Sequence, residues 1–475
     1  MARPTDPLLL VNAMTGQFVS GVAARIFIVS MPTIAAALDA DILAVAWALI
    51  AYQIAGIGLS VVFGRLGDVH GRYAIYGGGF VVMALASLLC GLAPGAGWLI
   101  AFRLVQGVGA AMIASAARVL AMEAMPEGAE GRANGFMTMS FHGGVLLGPP
   151  LGGLVIDLLS WRWIFLLLVP IGAAGAALTA LRARGRRAAP TGLAPSVDAP
   201  GSALLVVLTV TLTLLVDRRS AETLGAGWTL AVGAVFVLAL AVFLAHERRA
   251  ANPVVNLALF GIRMFLFSVL SLLVFAVTSS VLNFVLPFYI QDVLHHSASF
   301  MGLLFLSAPV LTIGLALLSG QLTDRIGPRA PATLGLAVIM AGFAVGMFLR
   351  VDSHWGWAAL LLACTGIGQG FFNTPNQTAI IGSVPREYRG FATGLVQMVF
   401  GLGSLLGTSL GGALLTVMFR HHTGVPDATP TPEAPGPFVA AMNATYAACL
   451  ALMALALAAS LMRGGRRIAA PAGER

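Results

Sequence analysis

Charged residues inside long apolar runs offer the clearest chemistry in this sequence. Arg25 and Arg103 each lie about 8–9 Å from one end of such a run, at 1.5 Å per helical residue. Arg118 is the third arginine within a run. If these runs span a membrane, a charge at such a depth is costly and normally faces a cavity or a partner. The alternative for Arg25 and Arg103 is that both side chains snorkel to the membrane surface.

Few ionisable residues could carry a proton: His142 and Asp157 are the candidates, and Glu123, at the end of another apolar run, is the third choice. His142 lies inside an apolar run, and an imidazole has an unperturbed pKa of about 6.5. Asp157 lies near the end of the same run. The alternatives are that His142 is a packed or hydrogen-bonded core residue and that Asp157 pairs with Arg103 or Arg162.

Uncharged polar residues within the apolar runs could orient a ligand among apolar walls by hydrogen bonding. There are seven of them, and we expect some to face a cavity together with His142. They are Tyr52, Gln53, Gln106, Asn283, Gln369, Asn373 and Gln377.

The sequence lacks the residue patterns of an enzyme active site. It contains no HExxH motif, no Ser-Gly nucleophile turn with a plausible base, no paired carboxylates within the apolar runs and no ATP-binding glycine loop. We therefore expect no catalytic residue, no metal site and no cofactor. An intramembrane enzyme or a receptor is the alternative from another class.

The composition requires these residues to be positioned in a membrane. Of 475 residues, 58% are hydrophobic and only 10% are charged, against about a quarter charged in an average soluble domain. So few polar residues cannot cover a water-soluble particle of this size. A cytosolic enzyme, a nucleic-acid module and a disordered chain are excluded.

Fourteen apolar runs are long enough to be membrane-spanning helices, which need about 20 residues each. The run at 202–217 is the weakest. The predicted spans are 9–31, 43–63, 74–93, 98–121, 135–156, 163–181, 202–217, 228–245, 264–288, 300–318, 331–349, 356–381, 391–418 and 438–462.

Arginine placement predicts the orientation. All 27 cationic residues are arginine; with the N-terminus inside, 19 lie on the cytoplasmic side, 5 lie outside and 3 lie within spans. An excess of arginine marks cytoplasmic loops. Both termini are therefore predicted to be cytoplasmic.

Two parts of the sequence are related by an internal repeat. Four residues of the loop after span 2 recur after span 10 at a constant offset of 256, namely Gly64, Leu66, Asp68 and Gly71 with Gly320, Leu322, Asp324 and Gly327. Residues 135–156 align with residues 394–415 at offset 259, with 10 identities in 22 positions. We infer two six-helix halves in the same orientation, residues 1–181 and 251–462. Between them lie a linker and an inserted two-helix hairpin, residues 182–250, and residues 463–475 form a basic tail. Parallel halves around a central site are an architecture of secondary transporters.

These motifs resemble those of the major facilitator superfamily. The loop from Gly64 to Arg72 is similar to its loop signature, and Arg103 and Gln106 lie in a segment similar to its span-4 signature. The glycine-rich block of span 5 is similar to the signature of its exporters, and the inserted hairpin resembles the fourteen-span drug:proton antiporters. This block contains Gly135, Gly144, Gly148, Pro149, Gly152 and Gly153.

The resemblance implies an all-α major facilitator fold and a role for several residues. Asp68 would form a conformational latch against a helix N-terminus or an arginine of the other half, stabilising the outward-open state, with Asp324 as a weaker counterpart. The latch set is Gly64, Asp68, Gly71, Arg72, Asp324 and Arg325. The stripe of Gly144, Gly148 and Gly152 either packs helices tightly or, with Pro149 and Gly153, lets span 5 bend as a gate.

One departure from the family bears on the substrate. Where the drug:proton antiporters usually have an Asp and a Thr near the outer end of span 1, this chain has Ala23 and Arg25. In the family fold, spans 1 and 4 line the central cavity, so Arg25 and Arg103 would attract an anion. The expected substrate is anionic, or neutral and polar, with an apolar body.

The sequence therefore predicts a secondary transporter that works by alternating access. We expect proton-coupled efflux of a small amphipathic compound, by a monomer in the inner membrane of a bacterium. Its partners would be substrate, proton and lipid, with no nucleic acid. The alternative is a uniporter or symporter of an organic anion.

Overall fold

The computed structural model describes residues 5–184, 198–216, 218–250, 253–425, 430 and 434–463. The predicted basic tail beyond Arg463 and linker residues 185–197 lie outside this part of the chain. The described residues form fifteen α-helices: α1 (Pro7–Ala37), α2 (Ile42–His70), α3 (Arg72–Gly91), α4 (Ala96–Ala124), α5 (Glu130–Leu158), α6 (Trp163–Leu166), α7 (Leu168–Ala183), α8 (Ala199–Val216), α9 (Arg218–Glu247), α10 (Arg263–Phe288), α11 (Ala298–Ile326), α12 (Arg329–Gly346), α13 (Gly356–Gly382), α14 (Arg389–Thr423) and α15 (Pro435–Leu461).

The helices make fourteen membrane crossings. In hydrocarbon every backbone polar group must be hydrogen-bonded within its own segment, which a helix achieves. Within the described residues, thirteen segments are long and apolar enough to span a membrane, and α6 and α7 together form one of them. The fourteenth crossing is α13, which has 27 residues but carries four Asn and Gln side chains in its second half. The predicted all-α fold of fourteen spans is confirmed.

The first helix begins and the last helix ends on the same side of the bundle. The N–H of Asp6 donates to the carbonyl of Ala124 at the end of α4 (2.8 Å). The start of α5 is hydrogen-bonded to the end of α11, and Arg329 at the start of α12 donates to the carbonyl of Leu461 at the end of α15. We call this the inner side, and the opposite side the outer side.

The two halves pack by the same plan. In the first half, α1 lies against α5, α2 against α4 and α3 against α7. In the second half, α10 lies against α14, α11 against α13 and α12 against α15. The inserted helices α8 and α9 pair with each other, and α8 also contacts α2 of the first half and α14 of the second.

The turns that follow α2 and α11 are equivalent in the two halves. Gly71 has φ 104° and Gly327 has φ 86°, and the two residues are related by the offset of 256. L-residues with a side chain rarely adopt such angles, so each position requires glycine. The repeated glycine of the loop motif therefore reflects a backbone turn.

α1 packs against the glycine stripe of α5. A Cβ at Gly144 would overlap the carbonyl oxygen of Phe18, and a Cβ at Gly152 would lie 2.8 Å from Cγ1 of Ile26. At Gly148 the nearest atom is Cβ of Arg25, at 3.3 Å. The stripe thus holds two helices of the same half in close contact.

The equivalent stripe of α14 seats α10 in the same way. A Cβ at Gly407 would overlap the carbonyl oxygen of Val277, and a Cβ at Gly403 would lie 2.7 Å from Cβ of Ala276. Both stripes therefore pack helices within a half, the simpler of the two roles that the sequence suggests.

α5 is one continuous helix across Pro149 and Pro150 in the described conformation, so bending of span 5 as a gate stays a prediction. Gly153 lies outside the stripe, because a Cβ added to it would have no neighbour within 4 Å. Successive residues of a helix are about 100° apart, so Gly153 faces away from α1.

Replacing Gly144 with alanine should destabilise the first half. The added methyl group must displace the α1 backbone, and overpacking of this kind costs about 1–3 kcal/mol. We expect Gly144→Ala to lower the thermal unfolding temperature of the detergent-purified protein.

The matched control is Gly153→Ala. This change adds the same methyl group to the same helix in open space, and alanine favours helix by up to about 1 kcal/mol. Its unfolding temperature should be unchanged or higher. Equal unfolding temperatures for the two variants would contradict the packing role of the stripe.

Candidate functional site

Asp68, at the inner end of α2, caps a helix of the other half. Its Oδ1 accepts a hydrogen bond from the N–H of Gly390 (2.9 Å), and its Oδ2 accepts one from the N–H of Phe391 (2.8 Å). Both residues belong to the first turn of α14, where backbone N–H groups lack helical partners and the helix dipole favours a negative charge. The Asp68 side chain is completely buried.

Arg72 extends this contact into a network. Its guanidinium pairs with Asp68 (2.9 Å) and with Glu123 of α4 (2.6 Å). It also donates to the carbonyl of Arg386, in the segment before α14 (2.6 Å). A cavity of about 1520 Å³ on the inner face is lined in part by these four residues. Asp68, Arg72 and the start of α14 form what we call the first latch.

Asp324 makes the equivalent contact at the inner end of α11. It accepts hydrogen bonds from the N–H groups of Gly131 (2.6 Å) and Arg132 (3.1 Å), at the start of α5. The Arg132 side chain also pairs with it, at 3.2 Å. We call this the second latch. Arg325, a predicted latch residue, is exposed, and Arg132 takes the cation's place.

The two latches differ in their exposure to water. The Asp68 side chain is 0% exposed, whereas that of Asp324 is 12% exposed and its partner Arg132 is 44% exposed. Exposed ion pairs contribute at most about 1 kcal/mol, because water and salt screen them. The first latch is therefore the stronger of the two.

Glycines bring the halves into backbone contact beside each latch. A Cβ at Gly64 of α2 would overlap the carbonyl oxygen of Gly390. A Cβ at Gly131 would overlap the carbonyl oxygen of Gly320 in α11. These four glycines are paired by the same offsets as the sequence repeat. Small residues let helices approach closely in a membrane. The α2–α14 and α5–α11 contacts, which we call the seams between the halves, are therefore tight.

Side-chain hydrogen bonds continue the seams towards the centre. Ser60 of α2 donates to the carbonyl of Gly394 (3.0 Å). Asn134 of α5 donates to Thr378 of α13 (3.1 Å), and Thr138 of α5 accepts a hydrogen bond from Thr374 of α13 (3.2 Å).

These inter-half bonds cluster in the inner part of the bundle. Arg25 on α1 is exposed and lies further towards the outer side than these bonds. The structure is therefore closed on the inner side.

His142 faces this central region. It follows Asn134 and Thr138 at intervals of four residues, so the three share one face of α5, directed at α13. Arg118 of α4 and Arg25 of α1 are the charged groups that act on its imidazole. Asp157 lies far from them, exposed at the outer end of α5.

Arg103 does not line the predicted central cavity. Its guanidinium lies 4.3 Å from the ring centroid of Tyr52 and 4.5 Å from that of Phe27. It donates to Gln106 (2.7 Å), which in turn donates to Ser87 of α3 (2.7 Å). Arg103 is 1% exposed, so it neither faces a ligand nor snorkels. With Tyr52 and Gln106, it is a buried polar core that joins α1 to α4.

The remaining predicted cavity residues are divided between several environments. Gln53 lies one turn before Ile57, which contacts Gly401 of α14, so Gln53 faces the second half. Asn373 and Gln377 of α13 are 7% and 8% exposed, and Gln369 is half-buried. Asn283 is exposed and donates back to its own helix.

Sequence reasoning gave no role to three buried polar residues. Arg65 of α2 lies 5.1 Å from the ring centroid of Tyr388 and so adds a cation–π contact between the halves. Arg118 and Gln17 have side-chain nitrogens with no hydrogen-bond partner among the described residues. For Arg118, the signal was its position within an apolar run.

Known transporters match the chain along almost its whole length. The Major Facilitator Superfamily matches residues 13–408 and residues 268–467. YebQ of Escherichia coli K12, named an uncharacterized transporter, is 32% identical over 406 residues, covering 83% of this chain and 84% of its own. The multidrug resistance protein Stp of Mycobacterium tuberculosis H37Rv is 30% identical over 428 residues, covering 86% and 76%. The riboflavin transporter RibZ of Clostridioides difficile 630 is 25% identical over 468 residues, covering 96% and 97%.

A solved structure shares the fold. The human organic anion transporter MFSD10 superimposes with a TM-score of 0.66, covering 96% of this chain and 100% of that one. The two sequences are 13% identical, so this likeness concerns the fold alone.

Replacing Asp68 with asparagine should weaken closure of the inner side. The amide has a single acceptor oxygen for two N–H groups and no charge for Arg72. A hydrogen bond to a charged group contributes about 1.5–3 kcal/mol, so the inner-open population should rise by about tenfold or more. The measurement is the distance distribution between spin labels at Arg184 and Ala330, on the inner ends of α7 and α12, in a variant without native cysteines.

Asp324→Asn is the matched control for this measurement. Because the second latch is more exposed, its loss should lengthen the distance less. An unchanged distribution in Asp68→Asn would show that the first latch does not hold the halves together.

Proposed function

The chain belongs to the Major Facilitator Superfamily, and from this membership we propose that it exports a small amphipathic compound in exchange for protons. Membership makes it a multi-pass secondary transporter of small molecules and not an enzyme. The exported compound and the coupling ion are the proposed part.

One observation carries this proposal. The two halves are held together on the inner side by carboxylates that cap helices of the opposite half. Such contacts can break and re-form without unfolding either half, because each half has its own packed interior. Breaking both would let the halves rock and expose the cavity to the inner side, which is alternating access.

We assign the inner side to the cytoplasm of a bacterium, with both termini there. The arginine excess supports this orientation, and the bacterial relatives support the cytoplasmic membrane. The structure then represents a state of the transport cycle that is closed to the cytoplasm.

The proposed direction of transport and the proposed kind of substrate rest on the names of the relatives. A multidrug resistance protein among them favours efflux of amphipathic compounds. A riboflavin transporter favours one dedicated metabolite. Uniport or symport of an organic anion is the second candidate, and the arginines near the centre of the bundle favour it.

The proton is proposed to bind His142. This residue lies at the centre of the bundle, on the face of α5 that meets the second half. Asp157, the other candidate, lies exposed at the outer end. A proton carrier must be reached from each side in turn, which a central position allows.

The test is substrate flux in proteoliposomes with an imposed pH gradient. Ethidium, riboflavin and naphthalene-2-sulfonate sample a cation, a neutral compound and an anion, and trapped pyranine reports proton movement. Export coupled to protons should collapse the gradient when at least one compound is added. Flux without proton movement would favour uniport, and no flux of any compound would contradict the proposal.

His142→Gln should separate proton coupling from substrate exchange. Glutamine keeps hydrogen-bonding capacity but does not titrate, so accumulation driven by the pH gradient should fall to background while counterflow exchange persists. Asp157→Asn is the control and should behave like the parent. If pH-driven transport survived in His142→Gln and disappeared in Asp157→Asn, the coupling role would belong to Asp157.

A further inference from the structure

We propose that Arg118, together with Arg25, binds an anionic group of the transported compound: a carboxylate, a sulfonate or a phosphate. This inference rests on the proposed transport function and specifies its substrate class. It moves the anion site predicted for Arg25 and Arg103 to a different pair of arginines.

Arg118 is a buried cation with two side-chain nitrogens that lack a partner in the described part of the chain. Its side chain lies inside the bundle, with the residue 4% exposed. Its Nε and Nη1 have no hydrogen-bond acceptor among the described residues. An unpaired buried charge costs several kcal/mol. Arg103, whose Nη2 also lacks a partner among the described residues, nevertheless has an amide acceptor and two aromatic faces. The Nε and Nη1 donors of Arg118 could therefore bind an acceptor supplied by a ligand.

The side chains of Arg118 and Arg25 extend towards the same depth in the bundle, one from the inner side and the other from the outer side. Arg118 lies six residues before the inner end of α4, or about 9 Å from it, and Arg25 lies about 27 Å from the inner end of α1. Helical side chains lean towards the N-terminus of their helix. Arg118 consequently leans outwards and Arg25 leans inwards, towards the level of His142, about 18 Å from the inner end of α5.

The electrostatic surroundings of this level are positive. Arg118 and Arg25 both act on His142, and no carboxylate does so among the described residues. The nearest carboxylates by depth are already engaged: Asp68 and Asp324 hold the latches. A guanidinium pair with no internal counter-ion suits an anion, which it can bind in a bidentate manner.

Arg25 gives this site an approach from the outer side. It is exposed, and its Cβ packs against Gly148 of α5. An anion entering from that side would meet Arg25 first and Arg118 deeper in the bundle. The apolar body of the ligand would remain among the apolar helix faces above it.

Equilibrium binding in phosphatidylcholine nanodiscs tests the site independently of transport. The probes are naphthalene-2-sulfonate and (2-naphthylmethyl)trimethylammonium, which share an aromatic body and differ in charge, and isothermal titration calorimetry measures their Kd. The wild-type protein should bind the sulfonate saturably and the cation at least tenfold more weakly.

Substitutions then locate the anion. Arg118→Met removes the charge at similar length and should raise the Kd for the sulfonate at least tenfold. Arg118→Lys keeps the charge and should bind the sulfonate more weakly than the wild type but more tightly than Arg118→Met. If Arg118→Met does not fold, the raised Kd of Arg118→Lys tests the site instead. Arg162→Met is the matched control, because Arg162 lies at the outer end of the bundle, stacked on Trp161 at 4.4 Å. Its Kd should be unchanged.

Several results would overturn the inference. They are saturable binding of the cation and not the sulfonate, no saturable binding of the sulfonate, or a Kd that neither Arg118 variant alters. If protons still exchanged for ethidium or riboflavin in proteoliposomes, the proposed function would stand and only the anion site would fail. If the sulfonate bound but no compound crossed the membrane, the site would stand and the transport proposal would fail.

Discussion

The inner closure depends on one kind of contact, a carboxylate at the N-terminus of a helix that belongs to the other half. A helix start has unpaired N–H groups and a partial positive charge, which a carboxylate satisfies. Asp68 and Asp324 supply the acceptors across the boundary. Each half is therefore incomplete at its inner surface until the other half is in place.

The two latches are related by duplication but differ in chemistry. Asp68 is buried and pairs with Arg72 of its own half, which also holds Glu123. Asp324 pairs with Arg132 of the other half, at a more exposed place. Salt and water screen the second pair more than the first. Opening is then expected to begin at the α5–α11 seam and end at the α2–α14 seam.

Much of this architecture could be predicted from the sequence, because it depends on one-dimensional patterns. Span lengths follow from apolar runs, and the duplication follows from constant offsets. The contact of Asp68 with a helix start in the other half was expected from the loop motif. Arg103 shows where such prediction ends: its depth can be read from the sequence, but the face it turns to depends on packing. The aromatic rings of Phe27 and Tyr52 draw it into the first half.

The inserted hairpin gives the bundle two unlike flanks. α8 lies along the seam between α2 and α14, with Thr209 packed 3.6 Å from where a Cβ of Gly58 would be. α8 makes no comparable contact with the α5–α11 seam in the described part of the chain. We therefore expect lipid to reach the α5–α11 seam more readily than the α2–α14 seam.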